Sequence, residues 1–214
     1  IQPMWHSTIF GPYFVVGAIF SGIASLIIAM AILRKALHLE EYLKPIHFNN
    51  LGLLLLTMCL LWAYFTFAEY LTTFYGAEPE HMEVFYSKLG GEFTLLFIIM
   101  LITCFVIPFI FLAIKKLRTI TGTVIASISI NIGMWLERFL IVVPTLSRPR
   151  LPYGHGIYHP TWVEISIFAG EVAALCLLYV LFVKFFPIIS IWELRETEEE
   201  QIVRSKETAD ALSD

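Results

Sequence analysis

Residues 93–114 read FTLLFIIMLITCFVIPFIFLAI, 22 positions without a charged side chain. About 20 consecutive apolar residues carry an α-helix across the hydrocarbon core of a bilayer, at about 1.5 Å per residue. Four further stretches of the same kind surround it, at roughly 10–33, 51–75, 120–143 and 161–186. Hydrophobic residues make up 58% of the chain and charged residues 15%, where a soluble domain carries about a quarter charged. This composition excludes an ordinary soluble enzyme. It predicts an all-α integral membrane protein with five transmembrane helices, a four-helix bundle plus one further helix.

The chain divides into an outer-side segment (1–9), the helical bundle (10–186) and an acidic cytoplasmic tail (187–214). The net charge of −4 belongs to that tail. From Glu193 onward eight acids face three bases, so the tail carries −5 and the rest of the chain +1. Nothing in this pattern points to nucleic acid. The loop at 34–49 holds Arg34, Lys35 and Lys44, and the loop at 115–119 holds Lys115, Lys116 and Arg118. The loop at 76–92 holds Glu78, Glu80, Glu83 and Glu92 against Lys88. Basic loops stay on the cytoplasmic side, so residue 1 is expected outside and the C-terminus inside. Tyr13, Tyr70, Tyr75 and Trp135 then fall at the outer interface, where amphipathic rings accumulate. The chain opens at Ile1 almost directly into a membrane segment and shows no signal-peptide pattern. It is expected to be the C-terminal part of a longer protein.

Small residues recur every four positions at Gly17, Ser21, Ser25 and Ala29, and in pairs at Gly122/Ala126 and Gly170/Ala174. Such ladders let helix backbones approach closely. Pro108 removes a backbone donor and is expected to kink the third helix. Cys59, Cys104 and Cys176 lie in apolar stretches without metal-type spacing and read as small buried hydrophobes.

A charge in hydrocarbon costs roughly 2.5–3.5 kcal/mol, so those that remain are informative. Glu69 and Arg138 each lie about 9 Å deep from the same side, which predicts a buried ion pair between helices. Glu137 is adjacent to Arg138 and is expected to point elsewhere, toward another subunit or the outer loop. Glu164 and Glu171 are seven apart and share a face, Glu164 near the surface and Glu171 near the midplane. His6 stands just outside the first helix, suited to accept a proton. His6, Glu69, Glu137, Arg138, Glu164 and Glu171 are therefore the candidates for proton transfer or for a quinol pocket. Toward the inner side the helices carry Thr57, Ser127, Ser129 and Asn131 instead. Bis-histidine haem needs imidazoles inside a bundle, but His6, His38, His47, His81, His155 and His159 all fall in loops or at helix borders. Neither a cofactor nor a metal is expected on this chain itself.

The opening Trp5-His6-Ser7-Thr8-Ile9-Phe10-Gly11-Pro12-Tyr13 resembles a helix start in the NrfD/PsrC-like membrane subunit family. Gly133-Met134-Trp135-Leu136-Glu137-Arg138-Phe139 before Val142-Val143-Pro144, and Trp62-Ala63-Tyr64-Phe65 before Glu69-Tyr70, are similar to further family segments. The likeness spans most of residues 5–192 and is nearest to the ActC-type subunits of alternative complex III. It implies two consecutive four-helix bundles, of which this chain resembles the second with the last helix. It implies a quinol:electron-acceptor oxidoreductase in the bacterial cytoplasmic membrane, with menaquinol as the expected substrate. Iron–sulfur clusters and c-type haems would sit in partner subunits, and an NrfD-like sister would be a further membrane partner. In that family the quinol pocket is attributed mainly to the first half, so this piece would supply a pocket wall, proton-linked residues or scaffolding. Two other readings stay open. A purely structural anchor predicts that Glu69→Gln and Glu171→Gln leave turnover intact, and half of a transporter or channel predicts an inverted partner repeat.

Overall fold

The computed structural model describes residues 4–147 and 160–186. Its elements are α1 (Phe10–Ala36), α2 (Pro45–Gly76), α3 (Pro79–Leu89), α4 (Thr94–Leu101), a π-helical segment (Ile102–Val106), α5 (Ile107–Ala113), α6 (Ile120–Leu146) and α7 (Trp162–Phe185). Helices α4 and α5 and the π segment between them form one rod, Thr94–Ala113. Among the described residues, five helices are therefore long and apolar enough to cross a membrane.

Helices α1, α2, α4–α5 and α6 pack into a bundle, and the burial pattern shows why. In α2 the buried positions Phe48, Gly52, Leu55, Cys59, Trp62, Thr66 and Thr73 step by three, four or seven, the spacing of one helix face. Phe20, Ile27, Phe48, Leu55, Trp62, Leu112 and Ile130 are fully enclosed. Outward-facing Leu, Ile and Phe remain exposed along every helix, as suits a surface solvated by lipid. Helix α7 belongs to a second unit. It starts with a capping box between Thr161 and Glu164, and none of its residues is buried.

Several elements depart from the expected boundaries. Helix α2 starts at Pro45, because proline at a first-turn position needs no N–H partner. Helix α6 runs through Pro144 to Leu146. The segment at 76–92, expected as a loop, contains α3, which also opens on proline and carries Glu80 in its first turn and Lys88 in its last. Helix α3 packs on α2, α4 and α6 and caps that end of the bundle. At the opposite end Arg118 donates from Nε to Asn49 Oδ1 (2.8 Å) and from Nη1 to the Leu112 carbonyl (3.0 Å), tying the end of α5 to α2.

Pro108 produces a π turn where a kink was expected. A residue at that position would donate to the carbonyl of Cys104 in an α-helix, or of Thr103 in a π-helix. Proline can do neither. Both carbonyls take side-chain donors instead: Ser129 Oγ to Thr103 O at 2.8 Å, and Cys59 Sγ to Cys104 O at 3.4 Å. Gly133 makes this possible, since a β-carbon there would lie 2.5 Å from both Cys104 Sγ and Thr103 Oγ1.

The α1 ladder meets α6 through two of its four members. A β-carbon at Gly17 would lie 2.7 Å from Arg138 Nη2, and Ser25 Oγ donates to Asn131 Oδ1 at 3.2 Å. Ser21 bonds back to the Gly17 carbonyl. Gly122 faces the Leu117 carbonyl of the connection before α6 and the Phe111 ring of α5, and a β-carbon at Gly170 would meet nothing within 4 Å. Cys59 and Cys104 are buried, but Cys176 on α7 is exposed, contrary to the expectation for all three.

Candidate functional site

The charged side chains converge at the α3 end of the bundle, around Glu137. The face of α6 that carries Ala126, Ile130, Gly133 and Met134 continues to Glu137, only 2% exposed. Glu137 thus points into the bundle, not toward another subunit or the outer loop as expected. Trp62 Nε1 donates to Glu137 Oε1 at 2.9 Å. Glu137 Oε2 stands 3.8 Å from Arg138 Nε, beyond hydrogen-bond reach, and has no hydrogen-bond partner. That oxygen is enclosed, with the Arg138 guanidinium as its ionic neighbour and the Tyr13 hydroxyl close by.

The expected Glu69–Arg138 ion pair does not form. Equal depth was not sufficient, because the two side chains turn to different neighbours. Arg138 lies over the Phe14 ring, 3.9 Å from its centroid, in the space left by Gly17, and folds back on adjacent Glu137. Glu69 instead accepts from Ser7 Oγ at 2.7 Å.

Between these groups lies a cavity of about 40 Å³, lined by Tyr13, Glu69, Tyr70, Lys88, Met100 and Glu137, among others. A water needs at least about 10–15 Å³ of such volume, so a few fit. The Tyr13 hydroxyl accepts from Thr66 Oγ1 at 3.3 Å. Tyr13 is buried and Tyr70 packs on Phe97, so neither sits free at an interface as the aromatic pattern implied. Lys88 is 4% exposed, with Nζ 5.9 Å from the Tyr70 ring centre and 4.0 Å from Met4 Sδ. Burial pulls its ammonium down to about 8, against the opposing effect of the Glu69 and Glu137 carboxylates.

A second chamber of about 160 Å³ shares Met4 and Glu69 with the first and is walled by His6, Ser7, Thr72, Thr73, Glu78 and His81. The His6 and His81 rings are 4.9 Å apart, and His81 Nδ1 is 3.6 Å from Glu78 Oε2. The structure therefore brings together His6, Glu69, Glu137 and Arg138 within one end of the bundle. Glu164 closes the α7 capping box, donated to by the Thr161 N–H at 3.2 Å, and Glu171 is exposed on the same helix. His155, His159, Arg148, Arg150 and the acidic tail from 187 lie outside the described residues.

Sequence reasoning passed over Trp62, Tyr13, Tyr70 and Lys88 as site residues. Trp62 and Glu69 are seven apart on the buried face of α2, and Glu137 is in phase with Gly133 and Ala126, so helical periodicity carried the signal for three of the polar groups. Lys88 gave no such signal, because its burial follows from where α3 docks.

The family model for polysulphide reductase, NrfD, matches residues 1–149. No curated protein matches the chain.

Proposed function

This chain belongs to the NrfD family, a multi-pass membrane protein of the kind that serves redox complexes, and from that premise we propose that it works in quinol oxidation. In this reading it is a membrane subunit of a quinol:electron-acceptor oxidoreductase of the alternative complex III type. It sits in the bacterial cytoplasmic membrane with its α3 end outside and its C-terminus inside. Its partners are iron–sulfur and cytochrome c subunits and an NrfD-like sister, and menaquinol is the substrate of the complex.

The observation that carries this reading is Glu137. Quinol oxidation releases two protons for every two electrons, and an oxidation site in a membrane needs groups that take those protons away. Buried Glu137, beside the Arg138 guanidinium, is one of the residues lining a cavity large enough for a few waters. Glu69 lines that cavity and the wider chamber beyond it, which His6 and His81 border. Glu137, water and Glu69 thus offer acceptors in order toward the α3 end. Lys88 places a buried amine on the same cavity as both carboxylates. The inner cavity is far below the roughly 150 Å³ that a benzene ring occupies in an apolar core. The chain's contribution is therefore proton transfer beside the quinol, with the head group held largely by other parts of the assembly.

The test is purification of the complex through this chain in mild detergent. Mass spectrometry should find iron–sulfur and c-haem subunits, and added menaquinol should reduce the haem in the visible spectrum. Proton release accompanying that reduction should slow strongly in Glu137→Gln. A lone chain without chromophore, or full-speed turnover in Glu137→Gln, would refute the proposal.

A further inference from the structure

We propose that His6, Glu78 and His81 form a divalent transition-metal site, of the kind that takes Zn²⁺, at the mouth of the outer chamber. One ligand atom from each residue lies within 4.8 Å of the other two. Two imidazole nitrogens and one carboxylate oxygen are a common zinc donor set, and three protein ligands leave a fourth position for water. Tetrahedral zinc with bonds of about 2.0–2.2 Å holds neighbouring ligand atoms about 3.3 Å apart. The three side chains would close by about 1.5 Å to meet that geometry. His6 and Glu78 are exposed and can do so by small rotations.

The backbone around these ligands is already anchored. Both neighbours of His6 are tied to the bundle: Trp5 Nε1 donates to the Ile141 carbonyl at 3.1 Å, and Ser7 Oγ donates to Glu69. Glu78 is the N-cap of α3 and His81 lies in its first turn, their backbones joined by a 3.0 Å hydrogen bond from His81 N to Glu78 O. The positive end of α3 disfavours a cation there, which the Glu78 carboxylate offsets. The chamber supplies space for the water ligand beside the cluster. This arrangement is invisible in the sequence, because His6 comes from the opposite side of two long helices.

The site is read by metal bound, not by turnover, so it stands or falls separately from the quinol reading. The purified complex is stripped with chelator and titrated with Zn²⁺ against a chromophoric chelator. The expected result is one additional high-affinity Zn²⁺ per copy of this chain, weakened at least 10-fold in His81→Ala and in His6→Ala. His47→Ala, away from the cluster, leaves the affinity unchanged. Zinc-edge X-ray absorption should show two imidazoles in the first shell. Affinity that is unchanged in both His6→Asn and His81→Asn in an assembled complex, or absence of stoichiometric binding to the wild type, overturns the site.

Discussion

The two ends of this bundle bury different kinds of polar group. Away from α3, hydroxyls serve the backbone, apart from Ser25, which donates to the Asn131 side chain. Thr57 bonds the Leu53 carbonyl, Ser127 the Thr123 carbonyl, and Ser129 the Thr103 carbonyl. Between Ile120 and Leu136, α6 carries no acidic or basic side chain. At the α3 end hydroxyls such as Thr66, Thr73 and Ser87 bond backbone carbonyls as well, but there Glu69, Lys88 and Glu137 also line a cavity. A hydroxyl spent on its own helix stabilises by about 1 kcal/mol and is not available to relay protons. A buried carboxylate without its full set of hydrogen bonds costs stability, which makes Glu137 the group to test.

The contrast is broken most severely by Glu137→Gln. In an assembled complex we expect quinol-dependent turnover to fall by about 10²-fold or more, the scale of losing a positioned proton acceptor. Retained turnover, measured by haem reduction, would make the cavity a packing fault. Glu69→Gln should have a smaller effect, about 10-fold on the same assay, because water in the wider chamber bypasses it. Trp62→Phe removes the hydrogen bond to Glu137 Oε1 and should cost about 1.5–3 kcal/mol, seen as a lower unfolding midpoint in detergent; an unmoved midpoint would mean that the indole holds nothing.

Lys88 sharpens the comparison through pH. Its folded value of about 8 lies below the 10.5 of an exposed lysine, so the unfolded chain binds the proton more tightly. The fold is penalised below pH 8, and the penalty is relieved as pH rises toward 10.5, by at most about 3 kcal/mol. Lys88→Met should remove that slope from a plot of unfolding midpoint against pH, and an identical slope in the variant would place the titration elsewhere. The smallest effect belongs to the other end: Ser127→Ala should cost about 1 kcal/mol or less and leave turnover unchanged. A turnover loss there would extend the proton route through the bundle.

The five apolar helices were legible because bilayer thickness imposes a length that hydropathy reports directly. Pairings were less legible. Matched depth suggested Glu69 with Arg138, yet Phe14 and Gly17 draw the guanidinium toward α1. Sequence adjacency suggested that Glu137 leaves the site, although its helical phase with Ala126 and Gly133 puts it inside. The docking of α3 was not legible at all. A segment rich in glutamate reads as a solvated loop until its Val84, Phe85 and Lys88 are seen against the bundle.

The proline turn has a consequence for spacing. Ser129 latches α6 to the Thr103 carbonyl and Cys59 latches α2 to the adjacent Cys104 carbonyl, which sets a common zero for both helices. From it, Glu137 is eight residues along α6 and Glu69 ten along α2, about 12 and 15 Å of rise. Inserting one residue in either interval would swing that carboxylate by about 100° around its helix while the latch stayed closed. These two intervals should therefore tolerate substitution far better than any change in length.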